Sequence, residues 1–185
     1  MQVSEAQSDA AGQIVDLIAN RLGEGRAVHP ETAIASAARI AGSLLFSSFE
    51  LELKDCAPGT VVLSEQANEK GPQLISILGG MLELMKVPLD AQRLNAQPAA
   101  RGEQPTLNTL ETLVLFRDGA LKIAQDQGLT LEEAAQAAAV ATAYIVRECS
   151  AAIGAEVGFN AAAFGFIEGS KTAPPHAGTT SPPVK

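Results

Sequence analysis

Residues 130–146 read TLEEAAQAAAVATAYIV. Thr130 caps the segment, Glu132 and Glu133 fill an acidic first turn, and from Ala134 to Val146 no side chain is charged. Such a stretch is a helix, because alanine loses no side-chain entropy on helix formation. A helix that is apolar all round is shielded on nearly every side. The segment therefore predicts either the central helix of a bundle or a contact between two copies of the chain, which is the ground for expecting a homodimer.

Outward from that segment the periodicity is helical almost throughout. Ile14, Val15, Leu17, Ile18 and Leu22 mark a first amphipathic helix ended by Gly23 and Gly25. Pro30 suits a first helical position, so a second helix runs from about Pro30 to Phe49 with His29 just outside it. Ser64 caps a short helical turn through Glu69, and Gly71-Pro72 breaks the chain before a helix carrying Leu74, Leu78 and Leu82. Within that helix Gly79-Gly80 reads as close helix packing and not as a phosphate-binding loop. A long helix follows over roughly Leu107 to Gln127. Gly128 ends it and Thr130 opens the next, which makes these two helices close antiparallel neighbours. A last short helix covers Ala161 to Ile167.

The fold class is all-α, an irregular bundle of about five or six helices, with room for one short β-hairpin near residues 49–63, where FELELK alternates and Asp55 to Gly59 reads as a turn. Residues 1–170 form a single helical domain. The Pro-rich tail, 171–185, KTAPPHAGTTSPPVK, has the composition of a segment that is disordered unless held by a partner.

Composition narrows the function classes. A net charge of −8 and a pI near 4.7 argue against nucleic acid and against an anionic membrane surface, both of which select clustered Lys and Arg. Aromatic residues make up 4% with no Trp, too few for base-stacking or sugar platforms. The two cysteines form no CxxC pair, and the polar, acidic N-terminus is unlike a secretory signal, so the expected setting is the cytoplasm.

Three constellations bear on chemistry. On the second helix Thr32, Ser36, Arg39, Ser43, Ser47 and Glu50 share one face, opposite Ile34, Ala37, Ala38, Ala41 and Leu45. Small hydroxyls around one Arg suit a closely packed second helix with Arg39 paired to an internal acid, or a semi-polar pocket in which Arg39 holds a carboxylate. Arg117 falls in an apolar row with Leu110, Val114 and Leu121, where it snorkels to the rim or meets an anion. Glu65, Asn68 and Glu69 lie within one turn, a spacing that lets two carboxylates and an amide oxygen converge on Mg²⁺; no other cofactor is indicated. His29 and Cys56 stand on separate loops and imply no third catalytic residue.

Two function classes follow. The favoured one is a non-enzymatic interaction or regulatory module that binds a protein or small molecule through the face of the second helix and the Pro-rich tail. The alternative is a metal-assisted hydrolase acting on an anionic substrate, which needs Glu65, Asn68 and Glu69 to meet Arg39 or Arg117 in one pocket.

Overall fold

Helix α2 (Pro30–Ser47) is enclosed so completely that every residue from Glu31 to Phe46 is buried. The computed structural model describes residues 3–23, 28–53, 56–94 and 104–175. Around α2 stand α1 (Glu5–Leu22), α3 (Glu65–Leu84), α5 (Thr109–Asp126), α6 (Leu131–Ile153) and α7 (Ala155–Ser170); a single helical turn, α4 (Ala91–Leu94), precedes α5. The described residues thus form an all-α bundle of seven helices.

The helix starts are written in the sequence. Ser4, Asn108 and Thr130 each accept a backbone N–H and are answered by Gln7, Glu111 and Glu133, three reciprocal capping boxes. Ser64 caps α3 through the N–H of Ala67. Pro30 occupies the first turn of α2, and the His29 ring accepts from the N–H of Thr32. The capping box at Ser4 starts α1 well before the apolar row that announces it, and Gln7 Nε2 then donates to Gln136 Oε1 at 2.9 Å and to the carbonyl of Glu133. The first turns of α1 and α6 are tied together in this way.

The alanine-rich helix finds its cover inside the chain. Ala134 to Val146 is buried except at Gln136 and Tyr144, under α1, α2, α3 and α7. Its apolarity therefore needs no second copy of the chain. The most deeply enclosed element is α2, whose closest neighbour is α7. A Cβ on Gly42 would stand 2.5 Å from the carbonyl oxygen of Phe166, and one on Gly165 would stand 2.7 Å from the Cβ of Ala38. Backbones approach this closely only where side chains are missing.

Several boundaries differ from those the sequence suggests. Gly71-Pro72 does not break the chain: α3 is continuous over Glu65–Leu84 with Pro72 inside it. Pro72 is exposed, and so is Asn68, whose carbonyl loses its helical N–H partner to the proline. Meanwhile Ala67, Leu74, Ile77, Leu78 and Leu82 stay on one buried face, and that burial outweighs the missing bond. Helices α5 and α6 are not close neighbours; α5 packs on α2 and α1, while α6 packs on α2, α1 and α3. Both spend their apolar faces on the same two helices, and Gly128, at φ 64°, turns the chain between them. Helix α7 is longer than the segment Ala161 to Ile167. It starts directly after Gly154, whose φ of 86° is open to glycine and lets α7 fold back along α2.

The expected hairpin does not form among the described residues. Val61 instead makes an antiparallel bridge with Thr172, fixed by Val62 N to Lys171 O at 2.8 Å and Ala173 N to Thr60 O at 2.8 Å. The first residues of the Pro-rich segment are thus held by the same chain, with Thr172 and Ala173 buried. Residues 176–185 lie outside the described residues.

Candidate functional site

The hydroxyl-bearing face of α2 is an internal seam. Thr32, Ser36, Arg39 and Ser43 are all buried where the face meets α5 and α7, whereas Ser47 is half-buried and Glu50, past the end of α2, is exposed. Arg39 Nε donates to Glu168 Oε2 at 2.8 Å, while its Nη1 donates to the carbonyl of Leu107 at 2.6 Å and to Thr112 Oγ1 at 3.3 Å. One guanidinium thereby ties α2 to α7 and to the entry of α5. Thr32 continues the seam through Thr106, whose N–H donates to Thr32 Oγ1 at 2.9 Å. Ser36 Oγ and Ser43 Oγ have no hydrogen-bond partner among the described residues; their small size is what the close packing uses.

Arg117 is a different case from Arg39. Its Nη2 donates to Ser47 Oγ at 3.0 Å, Ser47 Oγ donates on to the carbonyl of Ser43, and its Nε is buried without a partner. Burial lowers the pKa of the guanidinium, opposed by the nearby carboxylate of Asp118. Its hydrogen bond to Ser47 lies in the last turn of α2, a helix with no basic residue of its own there, so the charge sits at the negative end of that helix dipole.

Glu65, Asn68 and Glu69 are exposed on α3. Among the described residues no group of three or more His, Cys, Asp or Glu side chains is placed to hold a metal ion. Asn68 borders a shallow pocket with Pro72, Phe166 and Ile167, whose lining contains neither Arg39 nor Arg117. That pocket does not bring Asn68 together with either arginine, and Arg39 is engaged with Glu168 on α7. His29 is engaged in capping α2, and Cys149 packs against the core, where burial and then the charges of Glu31 and Glu148 raise its thiol pKa.

A roomier concavity than the one beside Asn68 lies elsewhere, at residues that the sequence does not announce. A groove of about 950 Å³ runs between the start of α1 and the outer side of α3, with α6 as its floor. The α3 wall is Gln73, Ser76, Ile77, Gly80, Met81 and Leu84, a single face followed over about three turns. Val3, Ser4, Glu5, Ser8 and Asp9 form the opposite wall, and Val140 and Tyr144 close the bottom. Leu84 is 73% exposed, although it lies on the same face as the buried Ile77. Gly79-Gly80 does not mediate close helix packing: a Cβ on Gly80 would meet nothing within 4 Å, and the groove exists partly because that side chain is missing.

No known protein family, characterised protein or solved structure matches this chain. The groove's chemistry is therefore read from its own residues. The charged residues lining it are Glu5 and Asp9, both acidic, and neither forms an ion pair among the described residues. Among the described residues its lining holds no Lys, Arg or His that would offer a cation to a fatty-acid carboxylate or a phosphate. Met81, Leu84 and Tyr144 instead present adaptable apolar and amphipathic surface of the kind that receives a helix. No helix among the described residues is long and apolar enough to cross a membrane.

Proposed function

We propose that this protein is a non-enzymatic helical interaction module of the cytoplasm, and that it receives a helical segment of a partner protein in the groove between α1 and α3. The observation that carries the reading is the exposed Leu84 beside Met81 and the vacant side-chain position of Gly80, on one face of a helix whose remaining leucines, Leu74, Leu78 and Leu82, are buried. Exposed apolar surface that forms a contiguous patch in a groove marks a binding site more often than a scattered residue does. The two free cysteines, Cys56 and Cys149, agree with a reducing compartment. The seam around Arg39, Ser36 and Ser43 serves the fold, so the groove and not that seam is the surface offered to a partner.

The reading is tested with Gly80→Leu. The added side chain enters open space, and glycine inside a helix is costly, so the variant is expected to melt no lower than the native protein. Proteins cross-linked to the native chain in cells and absent from the Gly80→Leu sample, each then confirmed with purified components, support the reading. Equal binding of those partners by both chains overturns it.

A further inference from the structure

Resting on that reading of the groove, we infer that its occupant is a basic amphipathic helix, with an apolar stripe laid against Met81, Leu84 and Tyr144 and Lys or Arg side chains beside Glu5 and Asp9. Length comes first. The α3 wall extends from Gln73 to Leu84, roughly 17 Å at the rise of an α-helix, which matches three to four turns of a ligand helix. Charge comes second. Among the described residues the lining holds two carboxylates and no cation, in a chain of net charge −8, so an acidic segment is repelled both locally and at long range while a basic one is attracted. Placement comes third. Glu5 and Asp9 stand one turn apart on α1, opposite the apolar α3 wall, so a single ligand helix can place its apolar face on one wall and its basic edge on the other. Polar neutral neighbours, Ser4, Ser8, Gln73 and Ser76, complete a rim that needs no charge pairing of its own.

The probe is a set of three synthetic 16-residue helical peptides with one leucine-rich face, whose flanking positions carry Lys, Gln or Glu. Each is titrated by fluorescence anisotropy against the native chain, Gly80→Leu and the double variant Glu5→Gln/Asp9→Asn, at low and high salt. The Lys peptide is expected to bind the native chain about threefold to tenfold more tightly than the Gln peptide. That advantage is expected to vanish in the double variant and in high salt, and Gly80→Leu is expected to release all three. Equal affinity for the Lys and Gln peptides, lost in Gly80→Leu, would leave the groove as the binding site and overturn the basic character of the ligand. No binding up to millimolar concentration, or binding that Gly80→Leu leaves intact, would overturn both. A dimer by light scattering that Gly80→Leu dissociates would put a second copy of the chain in the groove and overturn the inference as well.

Discussion

Arg39 on α2 and Glu168 on α7 share a 2.8 Å hydrogen bond across the closest helix contact of the molecule, with the arginine side chain 7% exposed and the glutamate side chain 44% exposed. The two ends of this pair are therefore unequal. Removing Glu168 leaves Arg39 its bonds to Leu107 and Thr112 and removes a carboxylate that water already screens. Replacing Arg39 removes the ion pair, leaves the Leu107 carbonyl without its donor and cuts the tie from α2 to the start of α5, while the Thr112 hydroxyl keeps its bond to the Asn108 carbonyl. Glu168→Gln is expected to cost about 1 kcal/mol and Arg39→Met about 2–4 kcal/mol of unfolding free energy. Urea denaturation of both variants checks the order, and equal losses would contradict the unequal burial.

Arg117 gives the opposite expectation. It is a desolvated cation with one hydroxyl partner and an unpaired Nε, so replacing it with a methionine of similar length removes a buried charge and keeps most of the packing. Arg117→Met is expected to lie within about 1 kcal/mol of the native protein or to be more stable. A loss comparable to that of Arg39→Met in the same denaturation series would show that the guanidinium has a stabilising partner beyond Ser47.

The glycines separate by what a methyl group would meet. At Gly169 it would collide with the backbone of Arg39, and at Gly42 with the backbone of Phe166 and Ser170, none of which can rotate away. Gly42→Ala and Gly169→Ala are each expected to destabilise by at least about 1–3 kcal/mol through separation of α2 and α7. Gly80→Ala meets open space and is expected to stabilise by about 0.5–1 kcal/mol. Thermal melts of the three variants suffice, and a destabilised Gly80→Ala would show that the groove wall is packed against something.

At the start of α6 the Glu133 carboxylate accepts from the Thr130 N–H at 2.9 Å and from its hydroxyl at 2.8 Å, and these bonds lower its pKa below the usual carboxylate value. A folded-state value below the unfolded one adds stability that is fully present above the ordinary carboxylate range and is lost as pH falls through the lowered value. In Thr130→Val the backbone bond persists and the hydroxyl bond does not. The Glu133 titration followed by NMR is expected to move part of the way back toward the ordinary range. An unchanged midpoint would mean that the hydroxyl contributes nothing to holding the Glu133 carboxylate in its charged form.

Capping and periodicity make most of the helices legible in the sequence. Thr130, Pro30, Ser64 and the apolar rows each act within one or two turns, and a helix start depends on such local groups. The boundaries that were not legible are those where a long-range contact overrules a local preference. Pro72 sits inside α3 because Leu74, Leu78 and Leu82 are buried beyond it, and the glycines of α7 favour a break until α2 lies against them. Arg39 was legible as an internal, paired arginine, because an isolated charge among small residues needs a partner. That the partner is Glu168 was not, since 129 positions separate the two.

The sequence by itself determined an all-helical chain, the caps that start its helices, the enclosure of Ala134 to Val146 and the acidic charge that disfavours anionic partners. These follow from propensities and charges that each residue carries into any fold. Tertiary structure alone decided that α2 and not α6 is the most enclosed helix, that the hydroxyl stripe of α2 faces inward, and that Gly80, Met81 and Leu84 border a groove. The physical reason is that local spacing tells which residues share a helix face, while the face that remains uncovered depends on how every other helix has been packed.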